Sequence, residues 1–228
     1  MNRFIAIDLG AESGRVAVGS LGGEILHMEE VHRFANGAVE VRGHFYWDVL
    51  HLFGEIKIGL ARAAQRYGPA FDGIGLDTWG IDYALLDAQG ELVGNPHTYR
   101  DYRTGGVLEE VLEQVPAQQI YESSGGIQFM GINTLYQLRS MVRAGSPQLA
   151  AAAHFVMIPD LFNYWLTGRI CVEYTNATAT QFYDSSRGGW ATGLLEQLQI
   201  PTNIFGEVVP PGTVLGPLLG DVAAEVGL

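Results

Sequence analysis

The stretch Phe4 to Ser20, FIAIDLGAESGRVAVGS, decides how the chain begins to fold. Small and β-branched apolar residues run to Leu9, break between Gly10 and Gly14, and then resume. The two β-type segments this leaves, Phe4 to Leu9 and Arg15 to Gly19, are separated by five residues, too few for a crossover helix, so they pair antiparallel. A third, Glu24 to Phe34, follows a hairpin signal at Gly22-Gly23. The chain therefore opens with an antiparallel three-stranded meander and not with a Rossmann βαβ unit. The break itself has two readings. A strand ending in Asp8 and followed by a small-residue turn exposes backbone N–H groups, the Ser13 hydroxyl and the Arg15 guanidinium, all donors that suit phosphate oxygens. The carboxylate beside them suits a Mg²⁺ held through water. A plain hairpin whose glycines take positive φ accounts for the same residues, and the glycine-lysine pair of a P-loop is missing.

After Trp47, residues Val49, Leu52, Phe53, Ile56 and Leu60 recur at three and four residue spacings behind Asp48, a suitable N-cap, and predict an amphipathic helix that ends at Gly68. Short strands are predicted over Phe71 to Leu76 and Ile81 to Leu86, and helices over Gly106 to Val115, Asn133 to Ala144 and Asp160 to Thr167, the last closed by Gly168. From Ile200 the chain is rich in proline and glycine and ends in apolar residues. A meander followed by alternating helices and strands predicts an α/β protein with a mixed sheet flanked by helices, of the actin-like or ribonuclease-H-like ATPase type.

Composition narrows the function classes. A chain of 228 residues suits one large domain or two small ones and buries about 70% of its unfolded surface, enough to need no staples. The lone Cys171 allows no intrachain disulfide, the N-terminus lacks a signal-peptide pattern, and nowhere do 18 apolar residues run together. These features predict a soluble, cytoplasmic protein that does not enter a membrane, in which the sequon at Asn176 is idle. A net charge of −12 repels phosphate backbones and argues against a nucleic-acid partner.

Two further clusters carry candidate chemistry. In GIGLDTWGIDYALLD, residues 73–87, Thr78 stands where a dinucleotide fingerprint needs its third glycine, and Ile81-Asp82 stand where a P-loop needs lysine and a hydroxyl. What remains at that strand end is a carboxylate, the Thr78 hydroxyl, the Trp79 face and the approachable backbone of Gly80, a set suited to a polyhydroxy ligand, or equally to a core tryptophan beside a turn. Tyr99-Arg100-Asp101-Tyr102-Arg103-Thr104 interleaves aromatics with Arg and Asp, as sugar sites do and as solvated loops do. The six histidines show no metal-ligand spacing, and no serine sits in a nucleophile elbow.

Taken in order, IDLGAESGR, HFYWDV, LDTWGIDYALLD, YRDYRT, GIQFMGINTLYQL, IPDLFNYWLTG and EYTNATATQ resemble the FGGY carbohydrate kinases, and VVPPGTVLG is similar to a proline-rich stretch of that family. The tryptophan of DTWGID resembles the rhamnulokinase group more than fuculokinases or xylulokinases. The resemblance implies two actin-like domains around a cleft, of which residues 1–228 are the N-terminal, sugar-binding one, with the C-terminal ATP-binding lobe supplied in cis or in trans. It implies ATP and Mg as cofactors and a ketose as substrate, L-rhamnulose becoming L-rhamnulose 1-phosphate. Ala11, Glu12, Ser13, Gly14 and Arg15 then contact the ATP phosphates, with Asp8 holding the Mg²⁺ through water, and Thr78, Trp79, Gly80, Tyr99, Arg100 and Asp101 line the sugar pocket. The family's general-base Asp lies in a His-Asp-Thr-like segment that the resemblance places beyond Leu228, so no catalytic residue is assigned and the isolated chain is expected to have negligible kinase activity. Alternatives are a kinase half for fuculose or xylulose, or a non-catalytic sugar-binding remnant or split subunit. Exposed apolar surface and a tendency to self-associate are expected where a second lobe would dock.

Overall fold

The computed structural model describes residues 2–228. Strands β1 (Asn2–Leu9), β2 (Ser13–Gly22) and β3 (Ile25–Ala35) form the predicted meander, with β1 and β2 longer than the apolar pattern alone indicates and β3 shifted by one residue. A hairpin of β4 (Ala38–Val41) and β5 (His44–Trp47) follows, then α1 (Val49–Tyr67) and β6 (Gly73–Thr78). The main sheet runs β3-β2-β1-β6, antiparallel except between β1 and β6. Next come β7 (Tyr83–Leu86), α2 (Val107–Gln114), α3 (Ala117–Ser123), α4 (Thr134–Arg143) and α5 (Pro147–Ala151). The chain continues through β8 (His154–Met157), α6 (Ile158–Thr167), α7 (Tyr174–Ala179), α8 (Thr192–Gln197) and α9 (Gly220–Val226). The β4–β5 hairpin, β8 and the short helices escape prediction because four to seven residues hold too few periods of either pattern.

Helix α1 forms as its sequence dictates. Asp48 caps it by accepting from the His51 N–H at 3.1 Å, and Gly68 closes it at φ 83°. Val49, Leu52, Ile56 and Leu60 are buried against Ile5, Ile7, Leu9, Val16 and Val18, one face of the sheet. The approach is close enough to require glycine, since a Cβ on Gly59 would lie 2.3 Å from Val16 Cγ2. The proline- and glycine-rich end of the chain returns as α9, which buries Val222 and Val226 in the same core. On the edge hairpin, Ile25, Leu26 and Met28 are exposed.

The strand predicted from Ile81 begins two residues later, because Ile81 takes φ 68°, outside strand geometry. β7 pairs antiparallel with β8, and this two-stranded ladder is the wall between two hydrophobic cores. Tyr83, Leu85, Phe155 and Met157 face the core built with α2, α4 and α8, while Ala84, Leu86, Val156 and Ile158 face the core under the main sheet. With both faces covered, every residue of β7 is buried and the apolar run YALL is explained. The loops that precede β7 therefore start from a rigid base at the junction of the two cores.

Candidate functional site

The turn between β1 and β2 consists of Gly10, Ala11 and Glu12, closed by a hydrogen bond from Gly10 N–H to the Ser13 carbonyl at 2.9 Å. Asn36, just past β3, ties down the carbonyls of this turn: its side-chain amide donates to Gly10 O at 2.7 Å and its backbone N–H to Glu12 O at 3.0 Å. Among the described residues, the N–H groups of Ala11 and Glu12 meet no acceptor, so the turn presents donors outward. The positive-φ explanation of its glycines does not hold, since neither Gly10 nor Gly14 has positive φ. Gly14 is required for another reason. A Cβ there would lie 2.3 Å from the Phe34 ring and 2.9 Å from Leu9 Cδ2, so this glycine faces the core. Arg15, its neighbour, points to the opposite side and pairs with Asp8 at 3.1 Å; both side chains are about half-exposed. Asp77 stands in register beside Asp8 across the parallel β1–β6 pair and is also exposed, which puts two carboxylates at one edge.

The same register sets Leu9 beside Thr78, so the Gly10–Glu12 turn and the Trp79-Gly80 segment leave the carboxyl ends of adjacent strands. In open α/β sheets this is where ligands bind. Thr78 donates its hydroxyl to the Trp79 carbonyl at 2.8 Å. Gly80 has room: a Cβ would meet only Asn176 Oδ1 at 3.7 Å and Ala179 at 4.0 Å, ordinary contacts that the α7 segment EYTNATATQ supplies.

Behind this segment lies a residue that the sequence reading did not single out. Asp82 is fully buried and accepts from Trp47 Nε1 at 2.6 Å, Trp79 Nε1 at 3.1 Å, Tyr99 N–H at 3.1 Å and Gln137 Nε2 at 2.9 Å. No cation joins it among the described residues, and burial raises its pKa against the pull of these donors. The indoles of Trp47 and Trp79 pack with ring centroids 4.1 Å apart. Trp79 is thus oriented by Asp82, whose place directly before an apolar strand was the only sequence signal for it.

In the third cluster, Tyr99 and Arg100 are neighbours, with Arg100 Nε donating to the Tyr99 hydroxyl at 3.2 Å. Asp101 turns inward. Its oxygens accept from Phe45 N–H at 2.8 Å and Arg103 N–H at 2.9 Å, and His44 Nδ1 stands 3.2 Å away. Burial works to raise its pKa, but these donors prevail and hold it below the usual carboxylate range. His97, half-enclosed beside it, is pushed down to about 4 by burial and the Arg103 charge. The absence of metal-ligand spacing along the chain did not foresee this: His44, His97 and Asp101 meet in space, with one ligand atom from each lying within 4.8 Å of the others.

The structure therefore brings Ala11 to Arg15, Asp8, Thr78, Trp79 and Gly80 to one end of the sheet, with Tyr99 joined to them through Asp82, and sets Asp101 behind the loop. A gluconate kinase and a xylulose kinase, both from Lactobacillus acidophilus, superpose on the whole chain with TM-scores of 0.88 at 18% and 17% identity, each over 46% of its own length. This places the protein in the actin-like, ribonuclease-H-like ATPase fold. Residues 3–228 match the N-terminal domain of the FGGY family of carbohydrate kinases, and the chain belongs to that family. It is 46% identical over 213 residues to a rhamnulokinase from Mannheimia succiniciproducens, covering 92% of this chain and 44% of that protein. A rhamnulokinase from Oceanobacillus iheyensis is 39% identical over 225 residues, 98% of this chain and 47% of that protein. The chain spans about half the length of the curated relatives it matches.

Proposed function

We propose that this chain forms the sugar-binding, phosphate-gripping half of an ATP-dependent kinase that converts L-rhamnulose to L-rhamnulose 1-phosphate. The observation that carries the reading is the shared end of β1 and β6, where the outward N–H groups of Ala11 and Glu12 stand one strand away from Trp79 and Gly80. The sugar assignment is supported by the similarity to rhamnulokinases.

In this reading the turn amides, the Ser13 hydroxyl and Arg15 bind the phosphates, Arg15 leaving Asp8 for them. Asp8 and Asp77, exposed and side by side, fit a hydrated Mg²⁺, which would neutralise phosphate charge in the transition state. The ketose lies over Gly80 between Trp79, Thr78, Tyr99 and Arg100, while Asp101 sets the loop from behind. Phosphoryl transfer is mostly positioning and charge stabilisation, so these residues orient the acceptor hydroxyl and hold the donor. The general base and the opposing ATP lobe are assigned to a second domain, in cis or in trans.

Calorimetry on the purified chain with L-rhamnulose, L-fuculose and D-xylulose tests this. Preferential binding of L-rhamnulose, weakened by Gly80→Val, is expected. Equal or absent binding of all three removes the sugar assignment, and preference for another ketose reassigns it.

A further inference from the structure

We propose that His44, His97 and Asp101 form a binding site for a divalent late-transition cation of the zinc type, separate from any Mg²⁺ that accompanies ATP at Asp8. The inference stands on the placement of the three side chains and not on the kinase reading.

The three ligand atoms lie within 4.8 Å of one another, and His44 Nδ1 is 3.2 Å and 3.4 Å from the two Asp101 oxygens. Metal–ligand bonds of 2.0–2.2 Å at a tetrahedral angle put neighbouring ligands about 3.3 Å apart. The His44–Asp101 edge already has that length, and a bound ion would replace the hydrogen bond that now spans it. Binding an ion through Nδ1 would displace the proton that now donates to Asp101 and leave the imidazole N–H on Nε2.

The remaining geometry is held from outside, as in built metal sites. Asp101 accepts one backbone N–H on each oxygen, from Phe45 and Arg103, which fixes the carboxylate and leaves a lone pair on each atom. His97 is locked by its β-bridge to Tyr46 and by the Tyr46 ring, whose centroid is 4.4 Å away. Its ring makes no side-chain hydrogen bond among the described residues, so a ring nitrogen is free to ligate. His44 is half-exposed, so it provides the entry path and the freedom to close the last distance. Two imidazoles and one carboxylate select zinc-like ions over Mg²⁺ or Ca²⁺ and leave a fourth position for water. The Arg103 charge, held nearby by the Gln137 side-chain oxygen at 2.7 Å, opposes a cation and makes the site weaker than a closed structural zinc site. Occupancy would clamp the β4–β5 hairpin to the loop that carries Tyr99, fixing one wall of the pocket.

The test is titration of the purified, tag-free chain with Co²⁺ and then Zn²⁺, read by calorimetry and by the visible absorption of bound Co²⁺. One equivalent should bind, with tetrahedral-type Co²⁺ absorption that Zn²⁺ abolishes. His44→Ala and His97→Ala should each weaken binding about tenfold or more. His44 is half-exposed, so its replacement leaves the fold intact, and His27→Ala on the exposed edge hairpin should change nothing. Absence of Co²⁺ absorption, equal affinity in both site variants, or loss of binding in His27→Ala overturns the proposal.

Discussion

The indole N–H of Trp47 donates to a carboxylate oxygen of Asp82 across 2.6 Å, and Trp79 donates to the same oxygen at 3.1 Å. One buried carboxylate thereby aligns the end of β5 with the segment that carries Gly80. Asp82→Ala leaves two indole N–H groups and the Tyr99 amide without their acceptor, while the Gln137 amide keeps the Ile81 and Ile132 carbonyls. Each unsatisfied buried donor costs about 1–3 kcal/mol, so a loss of about 3 kcal/mol or more is expected in chemical denaturation, with sugar affinity falling in any variant that still folds. A variant with unchanged stability would show that Asp82 is not the organising group.

Gly14 separates packing from phosphate contact. A methyl group there meets the Phe34 ring at 2.3 Å, so Gly14→Ala should destabilise the chain by about 1–3 kcal/mol. Combining it with Phe34→Leu should recover part of the loss. A thermal melt of the single and double variants reads both effects, and a single variant that melts like the parent contradicts the packing role.

Asn36 touches no proposed ligand, yet it holds the carbonyls of Gly10 and Glu12 away from the phosphate side. Asn36→Ala should lower nucleotide affinity about tenfold, equivalent to about 1.4 kcal/mol, with little change in sugar binding. Fluorescent-nucleotide titration beside sugar calorimetry distinguishes this from general unfolding, which would depress both.

Asp160 gives the chain a pH dependence. Burial pushes its carboxyl from 3.8 up to about 7, with the Glu173 N–H opposing and the Glu173 charge adding to the rise. A folded-state pKa above the unfolded one means that the native chain holds a proton more tightly. This contribution to stability is complete below 3.8 and is lost as pH rises through about 7, a change of at most roughly 4 kcal/mol. Asp160→Asn keeps an acceptor for the Glu173 N–H, present at 3.1 Å, and should flatten the denaturation profile over that interval. An equally steep profile in the variant assigns the slope elsewhere.

Much of the framework was legible in local pattern. The alternation from Phe4 to Leu9, the short break and Gly22-Gly23 were enough for the meander, and the spacing of Val49, Leu52, Ile56 and Leu60 was enough for α1. The β4–β5 hairpin and β8 were not legible, because four-residue strands acquire their stability from partners elsewhere in the chain. The donors of the Gly10–Glu12 turn could be named from sequence, whereas Asn36, which aims them, comes from beyond the third strand. Asp82 was hidden for a similar reason, since its four donors come from β5, two loops and α4.

By itself the sequence determined the antiparallel opening, the amphipathic helix, the motif order of a carbohydrate kinase domain and the residue types at both strand ends. Those properties depend on short connections and local periodicity, which neighbouring residues control. Only the tertiary structure decided that Gly14 serves the core, that Asp101 faces inward, that Asp82 holds the two tryptophans, and that His44 meets His97. Each of these depends on burial and on contacts between distant segments, and a side chain's direction is settled only when the segments have packed.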